Sequence, residues 1–280
     1  MIKLIQKNLP MRKITAVVSY LAHSQSKLVK LPLLWTFNLI YKPNLEEARE
    51  TDLNSYSNLN DFFIRKIKEE RRPINRDPNL IACPVDGVIS NYGLINDGKL
   101  IQAKGMNYSL ESLLVSTDES KKFKDGYFVT IYLAPKDYHR IHAPMDGKIY
   151  KSVHVPGDLY SVNQTSQESI PNLYSVNERT ILGIKHQKVN YAVVSVGAAI
   201  VGSIVPFWYN HKLNSFKEII QSWKDGPKNG DSMVRKGQEL AFFQMGSTVV
   251  LIFEKKLNLN SDFLEELKPV KLGDTLFKIR

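Results

Sequence analysis

The run AFFQMGSTVVLIFE, residues 241–254, decides how the chain folds. Its dense β-branched and aromatic residues predict a strand that is buried on both faces. Gly246 interrupts this run, and glycine inside a strand usually marks a bulge or a close backbone approach. A hydroxyl residue, Ser247, follows directly. This placement indicates that the Ser247 hydroxyl attacks the Gly246 carbonyl of its own chain rather than an outside substrate.

Other stretches of the chain have the same strand character between turn residues, notably YFVTIYLA (residues 127–134) and YAVVSVGAAIVGSIV (residues 191–205). DFFIRKIKEERRPI (residues 61–74) predicts a helix that ends at Pro73. The polar residues 210–231 predict a loop with a short helix near residues 216–223. We therefore expect an α+β fold with a β-rich body of hairpins or sandwich-like sheets.

Two short motifs occur twice. CPVDGVI (residues 83–89) is similar to APMDGKI (residues 143–149) at an offset of 60 residues, and VRKGQEL (residues 234–240) is similar to VKLGDTL (residues 270–276). Turns of this kind between strands predict hairpins that are arranged with approximate internal symmetry.

The N-terminal segment is basic. The chain has a net charge of +10, and residues 1–45 contain seven Lys or Arg and no acidic residue. The apolar stretches at residues 14–22 and 31–41 are too short for the ~20 residues that span a bilayer. Basic apolar helices of this length indicate association with an anionic membrane surface. A packed helical hairpin with a solvated basic face is the alternative, and no motif for reading nucleic acid is present.

We accordingly divide the chain into two parts: residues 1–60 form a membrane-associating helical segment, and residues 61–280 form the β-rich catalytic domain. The hydrophobic content of 43% is sufficient for a folded globular protein. A single cysteine, Cys83, excludes an internal disulfide framework. Its place beside Pro84 indicates a small buried residue rather than a thiol nucleophile.

A serine nucleophile needs a base, and a histidine base needs an acceptor that fixes its tautomer. His139 and His142 lie together in DYHRIHAPMDG (residues 137–147). If this segment is extended, the two side chains point to opposite faces and have separate roles. Asp86 and Asp146, from the two copies of the repeat, are both candidate acceptors, and the spacing does not choose between them.

Other kinds of site are less consistent with the sequence. The histidine pair lacks the further His or Cys residues of a zinc site, so we predict no metal. An ordinary serine hydrolase acting on lipid is a second hypothesis, but the G-x-S-x-G elbow is missing around Ser247. A basic membrane-binding module without chemistry is a third.

Motifs along the whole chain resemble those of one family. They are FFIRKIKEERRPI, CPVDGVIS, QAKGMNYSLESLL, YHRIHAPMDG, PGDLYSVN, PNLYSVNER, VGAAIVGSI and MGSTVVLIF. Together they resemble the phosphatidylserine decarboxylases of the membrane-bound bacterial and mitochondrial-like branch. One departure is Met245, where that branch most often has leucine. The two side chains have similar volumes, so we expect the cleavage geometry to survive.

The resemblance implies a proenzyme that cuts itself between Gly246 and Ser247. The self-cleaving triad would be Asp86, His142 and Ser247, which favours Asp86 over Asp146. Cleavage would leave a beta chain, residues 1–246, and an alpha chain, residues 247–280, capped by a covalent pyruvoyl cofactor derived from Ser247.

In the reaction that the resemblance implies, phosphatidylserine forms a Schiff base with the pyruvoyl group and loses CO2 to give phosphatidylethanolamine. His139 is the candidate proton donor. The expected partners are phosphatidylserine in an anionic membrane and the two chains of the enzyme itself as a heterodimer, with a higher oligomer left open. No nucleic acid partner is expected. The expected location is the cytoplasmic side of the cell membrane, as a peripheral protein.

Overall fold

A computed structural model describes residues 11–103, 105–187, 189–198, 204–207, 219–222, 232–244 and 247–280. In these residues the helices are α1 (Met11–Ala22), α2 (Lys27–Tyr41), α3 (Leu59–Phe63), α4 (Leu110–Leu114), α5 (Thr117–Phe123), α6 (Gln164–Ser169) and α7 (Leu173–Val176). Short 3-10 turns lie at Leu53–Ser55, Glu69–Arg71 and Lys255–Leu257.

The strands of the described residues, in chain order, are β1 (Leu80–Ala82), β2 (Gly87–Leu94), β3 (Lys99–Ala103), β4 (Met106–Ser109), β5 (Tyr127–Leu133), β6 (Arg140–His142), β7 (Gly147–Val155), β8 (Arg179–His186), β9 (Val189–Gly197), β10 (Ile204–Pro206), β11 (Ile219–Ser222), β12 (Met233–Val234), β13 (Glu239–Phe243), β14 (Ser247–Phe253), β15 (Leu259–Asn260), β16 (Pro269–Val270) and β17 (Thr275–Ile279). The α+β class is therefore confirmed.

A nine-stranded antiparallel sheet organises the molecule. Its strands follow the order β11-β7-β8-β9-β14-β5-β2-β16, and β12 pairs with β7 outside this path. Smaller sheets, β1-β17-β15, β10-β13-β6 and β3-β4, complete the described strands. Strand β14 lies in the interior of the large sheet, because it is hydrogen-bonded to β9 on one side and to β5 on the other.

Every residue of β14 is buried, as its unbroken apolar run predicts. Side chains alternate between the two faces of a strand. Val249, Leu251 and Phe253 accordingly join one apolar cluster, and Val250 and Ile252 join a second. Both faces of the large sheet are therefore covered, which makes the body sandwich-like.

The two copies of the repeat occupy equivalent positions in the fold. Gly87 pairs with Val270 at the start of β2, and Gly147 pairs with Val234 at the start of β7. The Gly87 Cα lies so close to the Tyr132 carbonyl that an added Cβ would be 2.3 Å from its oxygen.

Backbone hydrogen bonds also join the two copies directly. The Ala82 amide donates to the Pro144 carbonyl at 3.0 Å, and the His142 amide donates to the Pro84 carbonyl at 2.9 Å. The approximate internal symmetry that the sequence predicts is therefore confirmed.

The N-terminal helices α1 and α2 pack on a third apolar cluster. This cluster contains Leu34 and Phe37 of α2, and Phe62 and Phe63 of α3. No helix in the described part of the chain has both the length and the apolar character needed to cross a membrane. The division of the chain at residue 60 stays a prediction.

Two expectations about local structure are wrong. The helix predicted from Asp61 to Pro73 ends at Phe63, because Arg65 and Ile64 turn toward the β-body and bond with its backbone and side chains. The helix predicted near residues 216–223 is contradicted by β11, which pairs with β7; the other residues of that stretch lie outside the described part. In both places long-range contacts outweigh the local propensity for a helix.

Candidate active site

Ser247 is the first residue of β14 and lies between two strands. Its backbone pairs with Leu133 of β5 and with Gly197 of β9. The residue is 1% exposed, and its Oγ has no hydrogen-bond partner in the described part of the chain. A buried hydroxyl without a partner is costly, and Thr180 and Thr248 share this property within the described residues, so the position of Ser247 at the start of β14 is what makes it the candidate reactive group. Gly246 and Met245 lie outside the described residues, so the scissile bond itself is not described.

His139 lies in the turn between β5 and β6, beyond the β5 residue with which Ser247 pairs. Its ring is fully buried and is packed against the Phe63 ring, with 4.0 Å between the ring centroids. Nδ1 lies 2.8 Å from the Asp137 carbonyl oxygen, which can only accept, so Nδ1 carries the proton. Nε2 therefore has the lone pair of a neutral imidazole, and it has no partner among the described residues.

The surroundings of His139 disfavour its charged form. Burial lowers its pKa to about 3, and the positive charge of Arg65 adds to this effect. The ring is thus neutral at physiological pH, with Nε2 available to accept a proton.

His142 is the last residue of β6 and has the same tautomer with different partners. Nδ1 donates to the Gly237 carbonyl at 2.8 Å, and Nε2 accepts from the Tyr138 hydroxyl at 3.0 Å. Burial lowers the pKa of His142, so this ring is also neutral. Both of its nitrogens are occupied, which distinguishes it from His139.

Asp86 lies in the turn before β2 and is held by Arg72. Arg72 Nε is 3.0 Å from Oδ1 and Nη2 is 2.5 Å from Oδ2, and the Leu272 amide donates to Oδ1 at 2.8 Å. Arg72 also pairs with Glu47, which in turn binds Lys271 at 2.8 Å. Hydrogen bonding from Arg72 lowers the pKa of Glu47 to about 2.

Asp86 and Ser247 of the predicted triad lie at one end of the large sheet, whereas His142 lies in β6 of another sheet and donates its amide to the Pro84 carbonyl in the turn of Asp86. Val88, Tyr132 and Thr248 form one cross-strand row. Ser247 directly precedes Thr248, and Asp86 lies two residues before Val88, so both lie on the same side of this row. Strands β2 and β14 are separated by β5 and are therefore about 10 Å apart. Among the described residues, no hydrogen bond joins Asp86, His142 and Ser247, so the triad stays a prediction.

Asp146, to which the sequence assigned no role, is the counterpart of Asp86 in the repeat. Asp146 Oδ1 accepts from the Lys236 amide at 2.6 Å, as Asp86 does from Leu272. Each carboxylate therefore closes a turn just before a glycine, Gly237 or Gly273. Of these two carboxylates, Asp86 alone also binds an arginine within the described residues, namely Arg72, which lines the cavity beside His142.

A cavity of about 420 Å³ opens beside His142. Its lining contains Tyr138, His142 and Glu239 together with five basic side chains, Arg49, Lys66, Lys68, Arg72 and Arg76. Glu239 pairs with Arg140 at 2.6 Å. The basic lining is suited to an anionic headgroup.

The sequence did not identify Arg65, Arg72 or Tyr138 as part of the site. Arg72 could have been noticed because it precedes Pro73 in FFIRKIKEERRPI, one of the motifs that resemble the family. Nothing in the sequence spacing, however, connects Arg72 with Asp86. Cys83 is fully buried, and burial raises its pKa, so it is unsuited to be a nucleophile.

Comparison with known proteins identifies the family. A family model described as phosphatidylserine decarboxylase matches residues 59–278. A phosphatidylserine decarboxylase proenzyme of Francisella tularensis subsp. novicida (strain U112) is 40% identical over 268 residues, which covers 96% of this chain and 93% of that protein. Another protein with this name, from Salmonella paratyphi B (strain ATCC BAA-1250 / SPB7), is 39% identical over 276 residues and covers 97% of this chain and 85% of its own length. The chain described here therefore belongs to the phosphatidylserine decarboxylase family.

Proposed function

We propose that this enzyme converts phosphatidylserine to phosphatidylethanolamine with a pyruvoyl group that it makes from its own Ser247. One structural observation carries the proposal: a buried hydroxyl without a partner in the described residues stands at the first position of the central strand. Membership of a family whose relatives are named proenzymes supports the same conclusion.

Self-processing begins at Ser247. Its Oγ attacks the Gly246 carbonyl, and the amide becomes an ester as the nitrogen of residue 247 takes up a proton. Elimination across Cα and Cβ of residue 247 then breaks the ester and releases residues 1–246 with a new carboxylate. The dehydroalanine that remains rearranges and takes up water, loses ammonia, and becomes the pyruvoyl group of the chain 247–280.

We assign His142 as the base that takes the hydroxyl proton of Ser247, with Asp86 as the third member of the triad. This assignment requires His142 Nε2 to leave the Tyr138 hydroxyl that it contacts at 3.0 Å. His139 is the second candidate for this step, because its Nε2 already has a lone pair without a partner in the described residues.

A pyruvoyl group at position 247 supplies the electron sink that the loss of CO2 requires. After that loss, a proton must return to the α-carbon of the substrate. We propose that the neutral resting ring of His139 accepts on Nε2 the proton that the substrate ammonium loses on binding and then donates it to this carbon, since its Nδ1 stays bound to the Asp137 carbonyl. The basic cavity beside His142 provides attraction for the anionic headgroup.

Membrane association is part of the proposal. Helices α1 and α2 expose large apolar side chains, among them Tyr20 (80% exposed), Leu28 (89%) and Leu39 (73%). The exposed Lys27 is the first residue of α2, and the exposed Lys42 follows its last residue. Such helices lie in the interface of an anionic leaflet, where each Lys or Arg contributes about 1 kcal/mol to the free energy of membrane binding. We propose that the enzyme is a peripheral protein on the cytoplasmic side of the cell membrane.

Intact mass tests self-processing. We expect the purified wild-type chain to give two species, residues 1–246 and residues 247–280, with a blocked N-terminus on the smaller one. Ser247→Ala should stay in one piece. Ser195→Ala removes another buried hydroxyl residue, opposite Val249 on β9, and should still be processed. An intact wild-type chain that decarboxylates phosphatidylserine would contradict self-processing, and an intact chain that hydrolyses lipid would favour the serine hydrolase.

Two asparagine variants separate the histidine roles. With His142 as the base, His142→Asn should remain uncut, and His139→Asn should be cut but should lose at least about a hundredfold in decarboxylation rate. The measurement is fragment formation over time and CO2 release from phosphatidylserine vesicles. Normal cutting of His142→Asn together with an uncut His139→Asn would overturn our assignment.

A further inference from the structure

Arg65 is a buried arginine without a carboxylate partner in the described residues. It is 5% exposed, and its Nη1 makes no hydrogen bond within the described part of the chain. Its guanidinium carbon lies 5.4 Å from the centre of the Phe62 ring. Burial lowers the pKa of Arg65. An arginine that is buried without an ion pair costs stability, so a function must account for it.

The contacts of Arg65 lead to the turn that carries His139. Nη2 donates to the Lys136 carbonyl at 2.7 Å and approaches the Asp137 carbonyl at 3.4 Å. The same Asp137 carbonyl accepts the proton of His139 Nδ1 at 2.8 Å. Arg65 thus holds the acceptor that determines which nitrogen of His139 carries the proton.

We propose that Arg65 is a positioning residue for His139, which orients the ring through the Asp137 carbonyl and, in addition to burial, disfavours its charged form through its own positive charge. The inference rests on the proposed function, because it gives Arg65 a purpose only if His139 takes part in the reaction. Phe63, two residues earlier in the chain, covers the ring and completes the arrangement.

Other charged groups near the turn are engaged elsewhere. The Asp137 carboxylate accepts from the Ala134 amide, and Arg140 binds both the Ile64 carbonyl and Glu239. Lys136 is exposed. Arg65 is the charge that lowers the pKa of His139 beyond the effect of burial. Replacing it with a neutral side chain should therefore raise the pKa of His139.

The direct test is the NMR titration of His139 in the uncut Ser247→Ala chain, with the signals assigned through His139→Gln. We expect a neutral ring protonated on Nδ1 from about pH 5 to about pH 8, on either side of the usual histidine pKa. Adding Arg65→Met should move the titration of His139 to higher pH or yield a mixture of tautomers. Adding Arg65→Lys, which keeps the charge, should retain the neutral ring.

Arg179→Met is the matched control. Arg179 is 2% exposed and donates to the carbonyls of Leu113 and Ser112 at 2.8 and 2.7 Å, far from the turn of His139 in the chain. Its loss also removes backbone hydrogen bonds of a buried arginine, but the titration of His139 should stay unchanged. Equal titration curves for Arg65→Met and Arg179→Met would overturn the inference.

Activity gives the second readout. In the cut enzyme that carries Arg65→Met, we expect the acidic limb of the pH profile of decarboxylation to move to higher pH, and Arg65→Lys to restore it. A lower rate with an unmoved limb would show that Arg65 is merely structural. If the wild-type chain is never cut, the proposed function fails, but the NMR titration still decides whether Arg65 controls His139.

Discussion

At the scale of single residues, the two histidines show how a backbone carbonyl selects a tautomer. His139 and His142 both donate Nδ1–H to a carbonyl, from Asp137 and Gly237 respectively. The sequence predicted separate roles if the segment were extended, but β6 contains only His142, and His139 lies in the turn before it. The acceptors could not be predicted, because Gly237 is 95 residues away from His142 in the chain.

The buried neutral ring of His139 predicts a pH-dependent stability. The unfolded chain binds a proton near pH 6.5, whereas the folded pKa is about 3. Folding is therefore penalised as the pH falls below about 6.5, by up to about 1.4 kcal/mol per pH unit. In the Ser247→Ala background, going from about pH 7 to about pH 5 should cost the parent about 2 kcal/mol more than His139→Gln.

Urea unfolding at the two pH values measures this difference. A difference between the parent and His139→Gln that is the same at both pH values would mean that the ring is not held neutral by the fold.

Replacing Arg72 is expected to lower the free energy of unfolding strongly. Arg72→Met leaves the Asp86 carboxylate, whose side chain is 10% exposed, without its cation. Removing one partner of a buried ion pair typically costs about 3–5 kcal/mol, because the other charge stays buried. Urea unfolding of the Ser247→Ala chain with and without Arg72→Met measures this cost.

Arg49→Met is the control for Arg72, because it breaks an exposed pair. The side chains of Arg49 and Glu69 are 56% and 90% exposed. An exposed ion pair of this kind contributes at most about 1 kcal/mol to the free energy of unfolding. Similar losses for Arg49→Met and Arg72→Met would contradict the view that Arg72 compensates a buried charge.

At the scale of elements, periodicity predicted the strands better than the helices. β14 was predictable because its run is apolar at every position, as a strand covered on both faces requires. The segment after Asp61 also has apolar residues at helical spacing, yet its helix ends at Phe63. Phe62 and Phe63 pack on α2 while Arg65 binds the turn of His139, and one continuous helix does not make both sets of contacts.

The exposed apolar residues of α1 and α2 predict that membrane binding depends on them. Leu28→Ser combined with Leu39→Ser should weaken cosedimentation with phosphatidylglycerol vesicles by at least about tenfold, because two leucines no longer enter the interface. Vesicles of phosphatidylcholine should bind the wild type more weakly, since they lack the anionic charge.

Leu94→Ser combined with Leu267→Ser is the matched control for this surface. These leucines are 50% and 62% exposed but lie on the β-body. The control should bind vesicles as the wild type does. If the control variant loses as much vesicle binding as the α2 variant, the helices are not the specific membrane-binding surface.

At the scale of the whole molecule, the proposed cleavage places the central strand in the smaller chain. Residues 247–280 contain β14, which pairs along its whole length with β5 and β9 of the larger chain. Lys271 and Leu272 also bind Glu47 and Asp86. We expect the two fragments to elute together in native size exclusion and to separate only in denaturant. Dissociation on cleavage without denaturant would contradict this arrangement.

The sequence by itself determined the family, the α+β class and the central strand, and it predicted a reactive Gly246-Ser247 step, because these depend on local patterns and on motifs in a fixed order. The tertiary structure alone decided which groups meet. The Leu272 amide and Asp86 are 186 residues apart in the chain, and Arg65 and Lys136 are 71 apart. Hydrogen bonds form over about 3 Å, so the partners of a buried polar group are determined only when the sheets have packed.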